Sequence, residues 1–251
     1  MLKSFVYKVA GASSRLIPES MAKEKMRYAF YKFFYSMPVG FERIKIRNTE
    51  FDVIKTLISN HNKEEVIQYT NYYQPKKGDV ILDVGAFYGI FSIYASKNVG
   101  PSGEVIAFEI DPINLQVLKK NFALNKNKNL VLVAKGLWNK KETKSLSIGG
   151  AGSNLFKNNA FTKVTLARGD ELIPKLRLKK INLIKMNIEG AEINALLGLK
   201  KTIRKYSPKL IIMANHYVNN EMTEKKVVSI LKNFGYKLNI AKNKMMFATK
   251  K

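Results

Sequence analysis

Apolar positions along the chain form two kinds of run that alternate. Short runs with the length and composition of buried strands lie at residues 80–84, 104–108, 130–134, 181–186 and 209–214. Between and after them, residues 89–97, 114–124, 191–205 and 224–234 place apolar side chains at helical spacing. Strands separated by helices predict an α/β fold, a mostly parallel sheet with helices on both faces. Residues 236–240 and 244–248, joined across Lys242-Asn243, read instead as a C-terminal antiparallel hairpin closing one edge.

The N-terminal part follows another pattern. Residues 1–15 carry Lys3, Lys8 and Arg15 without an acid, too short and charged a stretch for a membrane span or secretory signal. Pro18 can open a helix in which Ala22, Met26, Ala29, Phe30, Phe33, Phe34 and Met37 recur at helical spacing, with lysines and an arginine largely elsewhere. Such a basic amphipathic helix is expected to bury its aromatic stripe against the domain. The other reading is an interfacial element on an anionic membrane, or a lid over a lipid-linked substrate. Residues 41–58 alternate as a hairpin turning at 47–50, and 64–73 form a short helix before Pro75. The expected division is an N-terminal extension, residues 1–77, packing on or capping a domain of residues 78–251. The glycine- and asparagine-rich stretch 149–159 is expected to be a mobile loop over the active site.

Composition narrows the chemistry. The 251 residues are 46% hydrophobic, ample for a core, and contain no cysteine, which excludes disulfide scaffolds, thiolate zinc and thiol nucleophiles. His61 and His216 are the only histidines, so a multi-histidine metal site is excluded and no metal is expected. A net charge of +25 favours polyanions: nucleic acid, anionic lipid or a phosphorylated carrier. The lysines are dispersed, which also fits a solvated surface in a thermophile or codon bias. A cytoplasmic location is expected, with peripheral membrane contact as the variant; the oligomeric state is not legible.

The most specific chemistry lies in residues 80–89 and 105–112. An apolar strand ends in Asp83, enters a turn bounded by Gly85 and Gly89 and continues into a helix, while Glu109 ends the next strand, where a carboxylate can accept from both ribose hydroxyls. The dinucleotide fingerprint is absent, since Phe87 and Ile90 stand where it needs glycine. Asp83 repels phosphate and suits a cation, so these residues read as a pocket for S-adenosylmethionine; the bland alternative is an ordinary glycine turn. A later strand delivers Asn187 and Glu189 to the same sheet edge, and the next one Asn215-His216-Tyr217.

In the turn Asp-Val-Gly-Ala-x-x-Gly at 83–89, the run Ala-Phe-Glu-x-Asp-Pro at 107–112 and Glu-Gly-Ala-Glu at 189–192, the chain resembles the FkbM-type S-adenosylmethionine-dependent methyltransferases, mainly O-methyltransferases of sugars and polyketides. The resemblance spans roughly residues 79–217. It implies the class I methyltransferase (Rossmann-like) fold, a doubly wound seven-stranded sheet. It also implies a cofactor site in which Asp83, Gly85, Ala86 and Gly89 hold the methionine part, Glu109 and Ile110 the ribose side, and Gly136, Leu137 and Trp138 the adenine. Asn187 stands where the family usually has aspartate, and Ala214 where glutamate is common, so the site is less acidic. His216, with an ordinary pKa near operating pH, is expected to be the general base, with Asn187 and Glu189 orienting an acceptor hydroxyl. Glu192 reads as a helix N-terminal charge more than a catalytic one, and Tyr72 and Tyr73 as packing. The expected acceptor is a small molecule or glycan, free or lipid-linked. An RNA methyltransferase, or a catalytically weakened cofactor-binding protein, are the alternatives.

Overall fold

The computed structural model describes residues 20–36, 38–56 and 63–250. The expectations for residues 1–15, Pro18, Met37, Ile58 and His61 lie outside these described residues.

Helix α1 (Met21–Ser36) packs Tyr28, Phe30, Tyr31 and Phe34 against the core. Of its expected stripe only Phe30 and Phe34 turn inward, while Ala22, Met26, Ala29 and Phe33 are exposed. The inward arc is set by Glu24, fully buried, whose carboxylate accepts from Ser147 Oγ at 2.9 Å and pairs with Arg27. A buried charge needs such partners, and their position fixes the helix's rotation. Strands β1 (Pro38–Ile46) and β2 (Thr49–Thr56) pair antiparallel across a two-residue turn, with Arg47 at φ 51°. The Arg47 side chain donates to Thr70 Oγ1 at 2.8 Å and Asn71 Oδ1 at 2.7 Å, tying the hairpin to helix α2 (Lys63–Tyr72).

The alternating core follows as β3 (Val80–Val84), α3 (Ile90–Val99), β4 (Glu104–Phe108), α4 (Pro112–Asn125) and β5 (Leu130–Val133). Next comes a stretch expected to be irregular, which instead forms a small sheet of β6 (Gly136–Trp138), β7 (Glu142–Leu146) and β8 (Thr162–Arg168) in the order β6-β8-β7. These strands carry few consecutive apolar residues, so their pattern alone reads as loop. A short turn of helix, α5 (Gly169–Leu172), precedes β9 (Leu183–Met186). The single helix expected over 191–205 is two, α6 (Glu192–Gly198) and α7 (Lys200–Tyr206). Asp170 breaks them apart by accepting from Lys201 N at 2.9 Å and Thr202 N at 2.8 Å, amides that a continuous helix would use internally. Gly198 brings the same joint against β6, where a Cβ would lie 1.8 Å from the Trp138 carbonyl. The chain ends with β10 (Lys209–Met213), the two-residue strands β11 (Tyr217–Val218) and β12 (Glu221–Met222), α8 (Glu224–Asn233), β13 (Tyr236–Ile240) and β14 (Met245–Lys250).

The main sheet runs β5-β4-β3-β9-β10-β14-β13, parallel throughout except for β14, which is antiparallel to both neighbours. Alternate residues of each central strand enter two cores. Ile81, Leu183 and Ile211 meet α3, α4 and the N-terminal hairpin, whereas Leu82, Ile184 and Ile212 meet α6, α7 and α8. This is the doubly wound class I methyltransferase architecture with its C-terminal hairpin. Among the described residues no helix is long and apolar enough to cross a membrane.

Candidate active site

From β3 the chain winds outward to β4 and β5, then returns to place β9 on the other side of β3. At such a switch point the loops leaving neighbouring strands diverge and open a crevice. Here a cavity of about 210 Å³ lies at the carboxyl ends of β3, β4 and β9.

The Gly85 turn forms its floor. Gly85 has φ 81°, and a Cβ there would stand 2.0 Å from the Asn187 carbonyl oxygen, so only glycine allows the β3 and β9 ends to approach this closely. Gly89, at φ 79°, lies behind the lining, where a Cβ would meet the Phe122 ring at 2.6 Å. Ala86 and Phe87, between these glycines, line the cavity.

Glu109 lines it too and is held by three backbone amides: Ile110 N at 2.7 Å and Asp111 N at 2.8 Å on Oε1, and Phe87 N at 2.8 Å on Oε2. Burial, aided by the charge of Asp111, pushes its pKa up to about 7 although these amides pull the other way. Ile110, Gly136 and Leu137 form the adjoining apolar wall. Trp138, expected beside them, is not part of the lining; it is buried next to Phe156 with the Lys144 ammonium 4.8 Å from its ring centroid.

Asp83 does not reach the cavity. It is fully buried, with Oδ1 2.9 Å from Lys185 Nζ and Oδ2 accepting from Ser92 Oγ at 2.5 Å. The attraction of Asp83 for a cationic ligand, expected from the sequence, is therefore offset by an ammonium in direct contact. Lys185 also donates to the Gly85 carbonyl at 2.8 Å, so the ion pair fixes the glycine turn.

The other end of the cavity holds Glu65, Tyr69, Lys185, Asn187 and Glu189. Asn187 and Glu189 are brought together as the sequence predicts, Glu189 at φ 54°. His216 is not in the lining; its Nε2 lies 3.3 Å from Glu189 Oε1 and its Nδ1 3.1 Å from Glu192 Oε1. Burial would lower its pKa, but the two adjacent carboxylates more than reverse this and lift it to about 10. The group expected to be a general base is thus held towards its protonated form, outside the lining. Its geometry suits a clamp on Glu189. Glu192 is fully buried at the start of α6 and accepts from Ile188 N at 3.0 Å, in keeping with its structural reading.

The 149–159 stretch forms one wall and is tethered to it. Ser147 and Asn154 exchange backbone hydrogen bonds at 3.0 and 3.1 Å, and Ser153 Oγ donates to Asp111 Oδ2 at 2.5 Å. Asn114 donates to the Gly150 carbonyl at 3.3 Å, which leaves its own buried Oδ1 without a partner among the described residues.

Glu65, Tyr69, Asn114 and Lys185 also line the cavity, and none of them was expected there from the sequence. Lys185 did leave a signal, as a charge inside the buried strand 181–186 that demands a buried counter-charge. Glu65 and Tyr69 left none, because they arrive from the extension through tertiary contact.

A family model described as a methyltransferase FkbM domain matches residues 83–238, more than half of the chain. The chain belongs to the FkbM methyltransferase family. Its cofactor is accordingly S-adenosylmethionine. The residues fit that group: a carboxylate with acceptor capacity left stands beside an apolar wall, and Asn114 Oδ1 is a buried acceptor that lacks a donor among the described residues. Among solved structures, a methyltransferase FkbM from Methylobacillus flagellatus KT aligns with a TM-score of 0.51 at 19% identity, over 77% of this chain and 51% of that one. This FkbM chain thus spans about half the length of that relative. A precorrin-6y C5,15-methyltransferase from Geobacter metallireducens GS-15 aligns with a TM-score of 0.51 at 18% identity, covering 75% of this chain and 89% of that one. These likenesses show the fold. A comparison with curated proteins finds no match.

Proposed function

We infer that this FkbM domain methylates a sugar hydroxyl, in a glycan or a lipid-linked saccharide. The observation that carries the reading is the contrast between the two ends of the cavity. One end pairs the Glu109 carboxylate with an apolar wall. The other gathers two carboxylates, a phenol, an ammonium and an amide, and the amide's Asn187 Oδ1 is buried without a partner among the described residues. Unpaired polar groups in a buried site favour an acceptor that can hydrogen-bond, and a sugar presents adjacent hydroxyls that donate and accept.

When bound, S-adenosylmethionine supplies an electrophilic methyl carbon on a sulfonium. The protein's contribution is alignment, which can account for most of the acceleration of an in-line displacement. Glu109 would hold the ribose and the Gly85 turn the methionine part, beside the charge-compensated Asp83–Lys185 pair. Asn187 and Glu189 would orient the acceptor hydroxyl, with His216 holding the Glu189 carboxylate in place. The high positive charge would help to retain a substrate with a carrier phosphate.

Calorimetry with S-adenosylmethionine, followed by transfer of its radiolabelled methyl group to methyl glycosides and to total RNA, tests the reading. Cofactor binding with label on a glycoside is expected. Label on RNA alone would replace the sugar with a polynucleotide acceptor, and binding without any transfer would favour a catalytically weakened protein.

A further inference from the structure

An alcohol must lose its proton as the new carbon–oxygen bond forms, and His216, outside the cavity lining with its two ring nitrogens facing Glu189 and Glu192, is not placed to take it. Of the two carboxylates at the Asn187 end of the cavity, Glu189 faces the His216 imidazole, and the other comes from outside the matched domain. Glu65, on α2, lines the cavity. Its Oε1 accepts from Tyr69 Oη at 2.5 Å and from Asn187 Nδ2 at 2.7 Å. Tyr69 is one helical turn further along α2, and Asn187 follows β9, so two separate elements hold one oxygen of the carboxylate. The second oxygen, Oε2, makes no hydrogen bond among the described residues.

We propose that Glu65 is the general base of the methyl transfer, its Oε2 accepting the proton of the acceptor hydroxyl. The acceptor oxygen gains the methyl carbon, the carbon–sulfur bond breaks with its electron pair remaining on sulfur, and the hydroxyl proton ends on Glu65. Tyr69 is suited to its supporting part: burial, reinforced by the charge of Glu65, raises its pKa well above the usual phenol value, so it remains a hydrogen-bond donor. Asn187 gains a meaning here as well. An aspartate at this position would face Glu65 as a like charge, whereas the amide donates to it. The neutral residue that makes the site less acidic is the one that lets Glu65 approach.

The assignment rests on the hydroxyl-acceptor reading above, and one set of measurements separates them. Methyl transfer to a panel of methyl hexosides and 6-deoxyhexosides is followed for the full-length wild type, Glu65→Gln and Glu65→Ala, with calorimetry of S-adenosylmethionine and a thermal melt for each. Glu65→Gln keeps a hydrogen-bond acceptor for Tyr69 and Asn187, so it is expected to fold and to bind the cofactor within about twofold of wild type, while kcat falls about a hundredfold or more. Its pH profile should lose the acidic limb, and formate should restore part of the Glu65→Ala rate, results that a purely structural role would not give. Glu65→Gln with wild-type kcat, a parallel loss of cofactor affinity, or a defect without pH or formate signature would overturn the base and leave the sugar reading standing. A wild type that binds the cofactor but methylates none of the glycosides would overturn the sugar reading, and this assignment with it.

Discussion

Glu109 is held by three amides and yet has its pKa raised to about 7, because burial and Asp111 outweigh them. Folding favours its protonated form, so its effect on stability is most favourable below its ordinary pKa and is lost as pH rises through about 7. Ribose hydroxyls that donate to the carboxylate would bind its ionised form, which gives cofactor affinity the opposite slope. Calorimetry is expected to show tighter S-adenosylmethionine binding at about pH 8 than at about pH 6, and Glu109→Gln is expected to bind weakly with that slope removed. His216 obeys the same linkage over another window. Its pKa is raised from 6.5 to about 10, so its contribution to stability is full below pH 6.5 and disappears as pH rises through about 10. Chemical denaturation of wild type and His216→Gln should therefore diverge at neutral pH and converge above about pH 10. Gly85→Ala combines a strained φ with a Cβ 2.0 Å from a backbone oxygen. It is expected to cost about 3 kcal/mol or more in denaturant unfolding.

The N-terminal hairpin and α2 behave as parts of the domain. Ile44, Ile46, Phe51 and Val53 of the hairpin and Val66, Tyr69 and Tyr73 share one core with Ile81, Phe91 and Ile93. Removing residues 1–77 would expose that face of α3 as well as delete Glu65, so the fragment 78–251 is expected to lose its cooperative thermal transition, as followed by circular dichroism. A milder change isolates the positioning of α2. Arg47 holds Thr70 and Asn71 across the hairpin turn, and Arg47→Ala is expected to lower stability by about 1–2 kcal/mol. Its KM for the acceptor should rise more than its affinity for S-adenosylmethionine falls, since α2 reaches only the acceptor end of the cavity.

For the molecule as a whole, 44 basic residues against 19 acidic ones make self-repulsion a constant load on the folded state. Added salt screens exposed like charges over about 10 Å at 0.1 M. The midpoint of thermal unfolding is accordingly expected to rise between low salt and about 0.3 M sodium chloride. The buried Asp83–Lys185 pair is not screened in this way, so the Gly85 turn that it holds, and cofactor binding with it, should respond less than global stability.

Local pattern was enough for the alternating core. The apolar runs at 80–84, 104–108 and 181–186 became β3, β4 and β9 because fully buried strands need little more than length and hydrophobicity. Gly85, Ala86, Glu109, Ile110, Gly136 and Leu137 were legible for a related reason: residues at strand ends fall at the sheet's carboxyl edge wherever the topology is doubly wound. Other features depended on encounters between segments distant in sequence. The small sheet β6-β8-β7 is held by pairing that alternation does not encode, and the break between α6 and α7 comes from Asp170. Asp83 and His216 look available in the sequence, but their charges are met by Lys185, Glu189 and Glu192 only once the chain has folded. Glu65 enters the cavity the same way, over 122 positions of separation from Asn187. Sequence by itself determined the fold, the family and which strand-end residues line one end of the cavity, since these follow from local periodicity and strand-end position. The charge environment of Asp83 and His216 and the other end of the cavity were decided by tertiary structure, because both depend on which charges are brought within a few ångströms and shielded from water.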